Sequence, residues 1–186
     1  MKKFIPWYLR ILIKVLLARL PLGYGLWAKL GLFRHGAMDS SDYAWNVIKL
    51  HTKDILDNHE NGSLTVIWRD WDQIISHEPK MVYVSSVYPG EVKGPHIHTK
   101  RNSYFSCIHG NVVFIVKDKQ GNYYEIKSNS DEPVLIHVPN MVASAHINFG
   151  NEVARILTLA DIAWKPNDNE MENVFFDDYD WSKWIN

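Results

Sequence analysis

Two histidines, His96 and His98, stand one residue apart in the run Tyr88-Pro89-Gly90-Glu91-Val92-Lys93-Gly94-Pro95-His96-Ile97-His98-Thr99-Lys100-Arg101. On an extended segment, residues two apart share a face, so both imidazoles project together while Ile97 turns toward the core. An imidazole with its ordinary pKa near 6.5 takes or gives a proton at physiological pH, and a pair of them suits acid-base work on a carbon acid. Lys93, Lys100 and Arg101 flank the pair. As charge-assisted donors they suit a phosphate or a developing oxyanion, and Lys100 reads equally as part of a solvated loop. Tyr88, Tyr104 and His146 are further candidates for contact with a substrate, and His98, Tyr104 or Tyr88 for returning a proton. The same side chains have a rival use: His96, His98 and His146 supply three imidazoles for Zn, Fe or Mn, with a coordination position left open.

Such residues need a rigid frame, and the chain from Leu64 carries the pattern of one. Alternating segments at 64–69, 81–88, 103–108, 111–117, 122–127, 134–138 and 153–160 read as strands, divided by turn signals such as Pro89-Gly90, His109-Gly110-Asn111 and Pro139-Asn140. Many short strands without intervening helices imply a sandwich or barrel. The expected fold is mainly β, a sandwich or barrel over 61–186 behind a basic amphipathic helical extension over 1–60. Within that extension Asp39, Ser40 and Ser41 offer an N-cap to a helix reaching about Asp57, with Ala44, Val47, Ile48 and Ile55 on its apolar face. The acidic end, Asp177 to Trp184, is too aromatic for a disordered tail and is expected to pack back on the barrel.

Charge separates the front of the chain from the rest. The net formal charge is -1, yet residues 1–36 carry Lys2, Lys3, Arg10, Lys14, Arg19, Lys29 and Arg34 without one acid. Arg10, Lys14 and Arg19 interrupt the apolar stretch, which excludes both a secretory signal and a spanning helix of about 20 apolar residues. A helix lying on an anionic membrane surface and a helix packed on the barrel or a partner both fit. Nucleic acid fits poorly, because the cations sit within an apolar stretch rather than along a solvated stripe. The lone Cys107 lies in a strand-like run and reads as a buried structural thiol, compatible with a reducing cytoplasm.

The motifs carry a family resemblance. Gly90, His96-x-His98 and Gly110 resemble the first motif of the cupins, and Pro139 followed by His146 resembles the second. Ser85 to His96 resembles the segment of dTDP-4-dehydrorhamnose 3,5-epimerases that ends in Arg-Gly-Leu-His. The His-x-His-x-Lys form is closer to the sugar-nucleotide 3,4-ketoisomerases, and Val174 to Asp178 is similar to the epimerases' closing Trp-Asn-Asp-Pro. The resemblance spans about residues 80–180. It implies a cupin double-stranded β-helix, a jelly-roll barrel, with His96 as catalytic base, His98 as the second histidine, Lys93 in place of a substrate-binding arginine, and Asp178 as the carboxylate paired with the base. Three departures stand out. No tyrosine occurs at Leu157 to Leu159, where the epimerases have their proton donor. The spacing from Pro139 to His146 is long, and Asn102 or Ser103 replaces the glutamate of a metal-binding first motif.

The function expected from this reading is epimerisation or ketoisomerisation of a nucleotide-linked 4-keto-6-deoxyhexose without a cofactor. The ketone acidifies the neighbouring C3–H, a histidine removes that proton, and reprotonation elsewhere gives product. The alternatives are a three-histidine metal-binding cupin and a non-catalytic sugar-binding cupin. Residues 19–39 look like sequence preceding the methyltransferase domain of some bacterial glycan-modifying enzymes, which suggests surface polysaccharide assembly at the inner face of a membrane. Edge strands of a small barrel favour a homodimer.

Overall fold

The structure is a computed structural model and describes residues 43–71, 75 and 78–185. The chain divides into two units after residue 35, and the described residues all lie in the second; the expected basic helix of residues 1–36 lies outside the described residues. In the second unit the strands are β1 (Ala44–Asn46), β2 (Ile48–Lys53), β3 (Glu60–Val66), β4 (Met81–Val87), β5 (Val92–His98), β6 (Ser103–His109), β7 (Asn111–Lys117), β8 (Tyr123–Asn129), β9 (Val134–Val138), β10 (Ala143–Asn148), β11 (Ala154–Ala160) and β12 (Met171–Asn173). They form two five-stranded sheets, ordered β1-β9-β6-β11-β4 and β12-β5-β10-β7-β8, and a separate β2-β3 hairpin. The strand pairs are antiparallel. This is the expected jelly-roll barrel.

Alternation explains the layering. Phe105 and Cys107 of β6, Ile156 of β11, Phe114 and Val116 of β7 and Ile126 of β8 meet between the two sheets as the main core, with the Phe105 and Phe114 rings 5.3 Å apart. The other face of β7 and β10, through Val113, Ile115, Ala145 and Ile147, is covered by the C-terminal segment with Phe176, Tyr179, Trp181 and Trp184. That segment is latched by Tyr179 and Lys183 on Glu125 at 2.7 and 2.8 Å and by Trp184 Nε1 donating to the Tyr179 hydroxyl at 2.8 Å. The acidic, aromatic end thus packs back as its composition implies.

The helix expected to run to Asp57 is corrected: β1 and β2 occupy Ala44–Asn46 and Ile48–Lys53, and Ile55 is exposed in the turn beyond them. Ala44, Val47, Ile48 and Ile55 do satisfy helical spacing. The segment is nevertheless rich in aromatic and β-branched residues, which lose rotamer freedom in a helix and fit a pleated surface. β1 pairs with β9, and Trp45 and Val47 pack beside Tyr104, Leu135 and Leu159. A local pattern yields here to a sheet edge needing a partner.

Candidate active site

β5 sets the histidines in place through a bulge. Lys93 is registered on His146 and His96 on Ser144, so β5 has one more residue than β10 between those pairs. The insertion puts Lys93 and His96, an odd number apart, on one face. That face is the barrel interior, because His146 and Ser144 stand opposite Phe114 and Val116 of the core. Gly94 makes the bulge possible: at φ +88 a Cβ would lie 2.8 Å from the Ser144 carbonyl oxygen and 3.1 Å from His96 Nδ1. The His96 and His98 rings then meet edge to face at 5.1 Å.

Beyond His98 the chain turns through Thr99 to Asn102 and meets the segment leading into β12. The backbone carbonyl of Glu170 accepts from Thr99 N–H at 2.8 Å, and its carboxylate accepts from His98 Nδ1 at 2.8 Å and from Arg101 N–H at 3.0 Å. A carboxylate only accepts, so the proton of the His98 ring lies on Nδ1 and leaves Nε2 with its lone pair. Nη2 of Arg101 is 2.9 Å from Nδ1 and 2.7 Å from Nε2 of the same ring. In the ring plane such a position would collide with the carbon between the nitrogens, so the guanidinium lies over the ring face. His98, Arg101 and Glu170 are each 6 % exposed.

The electrostatics separate the two histidines. Burial, the neighbouring His98 and the Arg101 cation push His96 down to about 4, against a smaller opposing pull from Glu170. His98 is also lowered, by burial and then Arg101, while the hydrogen bond to Glu170 works the other way. Burial pushes His146 down to about 3 and His137 to about 4. Near neutral pH all four rings are neutral.

A pH prediction follows from the same shifts. Between about pH 6.5 and the lowered folded values, unfolded histidines bind protons that folded ones refuse. Stability contributed by the neutral rings is therefore present above about pH 6.5 and is lost as pH falls. The loss reaches roughly 1.4 kcal/mol per pH unit for each fully buried ring. Melting temperature should decline already between pH 6.5 and 5.5, above the carboxylate range; a flat profile there would contradict the neutral assignment.

The remaining candidates divide. His146 is buried in the interior beside His96 and Arg101 reaches it from the loop, while Lys93, registered on His146, is exposed at its edge. Tyr88 is exposed in the β4–β5 turn, at the opposite end of β5 from Arg101. Tyr104 faces away from the core: it alternates with Phe105, packs with Leu135 and Leu159, and stacks on His137 at 4.4 Å. Its expected contact with substrate is corrected accordingly. Asp178 is corrected too: its carboxylate accepts from Tyr123 at 2.6 Å and Lys117 at 3.0 Å on the covered outer face of β7 and β8. Glu170 takes the carboxylate's place, and on His98 rather than His96. Asn102 clamps Asp161 through its backbone N–H at 2.8 Å and Nδ2 at 2.7 Å, a brace for the loop. Burial pushes the Cys107 thiol up to about 11, which makes it inert.

Two interior residues escape sequence reasoning. Glu170 carries no local signal, since its link to His98 spans 72 positions. Tyr83 had one: it alternates with exposed Val82 and Val84, shares a face with core residue Val87, and is registered on Thr158.

Among the described residues His96, His98 and His146 do not gather as a ligand set; the one such group is Asp54, Asp57 and His59, of which Asp54 is half-buried and the other two exposed.

The family described as FdtA: WxcM-like, C-terminal, matches residues 44–180. A dTDP sugar isomerase from Desulfovibrio desulfuricans G20 is similar in structure, with a TM-score of 0.64 and 17 % identity over 75 % of this chain and 89 % of that one. ChmJ, a 3'-monoepimerase from Streptomyces bikiniensis solved with dTDP-quinovose, gives 0.57 and 15 % over 70 % and 69 %. QdtA, a sugar 3,4-ketoisomerase from Thermoanaerobacterium thermosaccharolyticum solved with TDP, gives 0.52 and 24 % over 70 % and 90 %. At these identities the likeness shows a shared fold. No curated protein matches the sequence.

Proposed function

Because this chain belongs to the FdtA family, WxcM-like and C-terminal, we propose that it is a sugar-nucleotide epimerase or ketoisomerase acting on a nucleotide-linked 4-keto-6-deoxyhexose. The observation that carries this reading is the buried pair of Glu170 and His98 beside a second, neutral imidazole inside the barrel. The TDP and dTDP-quinovose bound by similar structures support the substrate class.

Glu170 holds the His98 Nδ1 proton and orients the ring, so Nε2 is the base that removes the C3 proton. The electron pair of that C–H bond moves into a C3–C4 double bond and leaves an oxyanion on the former ketone. The role of base passes from His96 to His98, because the carboxylate sits on His98. His96, held neutral near 4, is a poor base at pH 7 and a competent hydrogen-bond donor to that oxyanion, with Lys93 beside it. Tyr83 takes the part of proton donor, since Tyr104 faces outward and Tyr88 lies at the far end. Reprotonation at C3 on the other face gives an epimer. Reprotonation at C4, with loss of the O3 proton, gives the 3-keto isomer.

The test is product analysis of the purified chain incubated with dTDP-4-keto-6-deoxyglucose, together with the melting temperature in the presence of dTDP. The expected result is a C3 epimer or 3-keto product. A ligand at 100 times its Kd should also stabilise by roughly 2.7 kcal/mol. Unchanged substrate without any thermal protection would overturn the reading.

A homodimer is supported by apolar Val82 and Val84 exposed on edge strand β4 and by Ile48, Leu50 and Leu64 on the β2-β3 hairpin. No helix among the described residues is long and apolar enough to cross a membrane. Attachment of residues 1–36 to an anionic leaflet, in the setting of surface polysaccharide assembly, would show as flotation with anionic but not neutral liposomes.

A further inference from the structure

At the end of the barrel where β5 finishes on His98, the loops frame an open cleft of about 520 Å³ lined by Glu78, Lys80, Lys100, Asn102, Asp161 and Ile162. That volume falls in the range of small-molecule sites. The cleft adjoins the histidines, because two residues of chain span at most about 7 Å and Lys100 is two residues beyond His98. Its walls are held by the backbone. Lys80 N–H donates to the Ala160 carbonyl at 2.7 Å, and Asp161 N–H to the Asn102 carbonyl at 3.3 Å. Asn140 braces the other side, its N–H donating to Asn102 Oδ1 at 3.2 Å and its Nδ2 to the Lys100 carbonyl at 3.3 Å. The charged side chains differ in how far they are committed. Both carboxylate oxygens of Asp161 already accept from Asn102. Lys80 pairs with Glu78 at 3.3 Å, but the two side chains are 61 % and 79 % exposed, so the pair contributes little and exchanges readily. Among the described residues, no acid or acceptor engages the Lys100 ammonium.

A nucleotide-linked hexose carries its diphosphate on C1, two bonds from C3. With C3 at the His98 ring, the diphosphate must leave the barrel within one sugar's width of it, by whichever end offers cations and space. Resting on the nucleotide-sugar reading of the site, we propose that this cleft holds the diphosphate of the substrate, with Lys100 and Lys80 as its ligands. Lys100 supplies its charge without giving up a bond. Lys80 exchanges the Glu78 carboxylate for a phosphate oxygen, a charge-assisted contact of the same kind. Ile162, 40 % exposed, offers the nucleoside an apolar wall beside the phosphates. The sugar then enters with C1 toward this end. The far end of β5, where Lys93 is exposed and Tyr88 lies in the turn, holds no phosphate.

The experiment is calorimetric titration of the full chain with dTDP. The variants are Lys100→Ala, Lys80→Ala, Glu78→Gln, Lys93→Ala and, as an exposed lysine on the β2-β3 hairpin, Lys53→Ala. Lys100→Ala should weaken dTDP about tenfold, the effect of one lost charge-assisted hydrogen bond. Lys80→Ala should weaken it about threefold, since Lys80 must first leave Glu78. Glu78→Gln should act in the opposite direction and tighten dTDP about threefold, because it frees Lys80. Lys93→Ala and Lys53→Ala should leave the affinity as it was. All the altered side chains are exposed, so the melting temperature of the empty protein should stay within a degree or two of wild type. An unchanged dTDP affinity in Lys100→Ala would overturn the proposal. So would a loss confined to Lys93→Ala, which would put the phosphates at the other end of the barrel, or an equal loss in Lys53→Ala, which would mark the effect as one of net charge alone. A wild type that does not bind dTDP would overturn the nucleotide-sugar reading together with this one, whereas the other contrary outcomes leave that reading standing.

Discussion

Replacing His98 with asparagine should lower kcat for the 4-keto-6-deoxyhexose nucleotide by on the order of a thousandfold, within the range expected when a general base is lost. Asparagine is close to imidazole in size and still offers an N–H to Glu170, so folding and dTDP affinity should change little. His96→Asn should cost less, roughly tenfold to a hundredfold, because an amide also donates a hydrogen bond to an oxyanion. The acid limb of kcat/KM in the wild type should lie below the ordinary histidine value, since burial and Arg101 lower His98. Steady-state kinetics across pH would check the ranking. A His96→Asn defect larger than that of His98→Asn would return the base to His96.

Glu170→Ala should produce the largest loss of stability of any single substitution near the site. The carboxylate holds the Nδ1 proton of His98 and the backbone N–H of Arg101, and its Oε2 lies 3.6 Å from Arg101 Nε. Removing it leaves a guanidinium buried to 6 % exposure without its counter-charge. Breaking a buried pair in this way costs roughly 3–5 kcal/mol. In a protein of this size that is a fall in melting temperature of roughly 2–4 °C for each kcal/mol. Replacing both members, as in Glu170→Gln with Arg101→Met, should restore much of the stability and none of the activity. A Glu170→Ala protein that melts within a degree or two of wild type would show that the pair is not a support.

Much of the barrel was legible because its strands alternate in the ordinary way. The strands from Met81 to Val87 and from Ser103 to Val138 put apolar residues on one or both faces, and their turns carry glycine, asparagine or proline. Where the interior is polar, the pattern inverts and the signal fades. β10 places Ser144, His146 and Asn148 inside the barrel, and no strand was expected there. β5 is interrupted by Gly94 and Pro95, the bulge that turns Lys93 and His96 to one side. The weakest strand signals thus fall on the elements that build the site, as expected when a local rule is broken for chemistry.

The site was legible in part for a related reason. His96 and His98 were found by a period of two that belongs to the strand itself. The carboxylate was sought at Asp178 through a short motif, but its position depends on where the chain returns to β5. β12 pairs Met171 with His98, which brings Glu170 to the ring and leaves Asp178 with Lys117 and Tyr123. Long-range register of this kind leaves no trace in local spacing. Tyr104 was misplaced by a single step of alternation, since its neighbours Ser103 and Phe105 are the inward pair.

The most direct test of the account is proton NMR of the purified wild-type protein with dTDP-4-keto-6-deoxyglucose in deuterium oxide, with His98→Asn run alongside. The account predicts loss of the C3 proton signal at least as fast as product appears, and its persistence with His98→Asn. A C3 signal that persists with the wild type while product forms, or that is lost equally with His98→Asn, would contradict proton abstraction by His98.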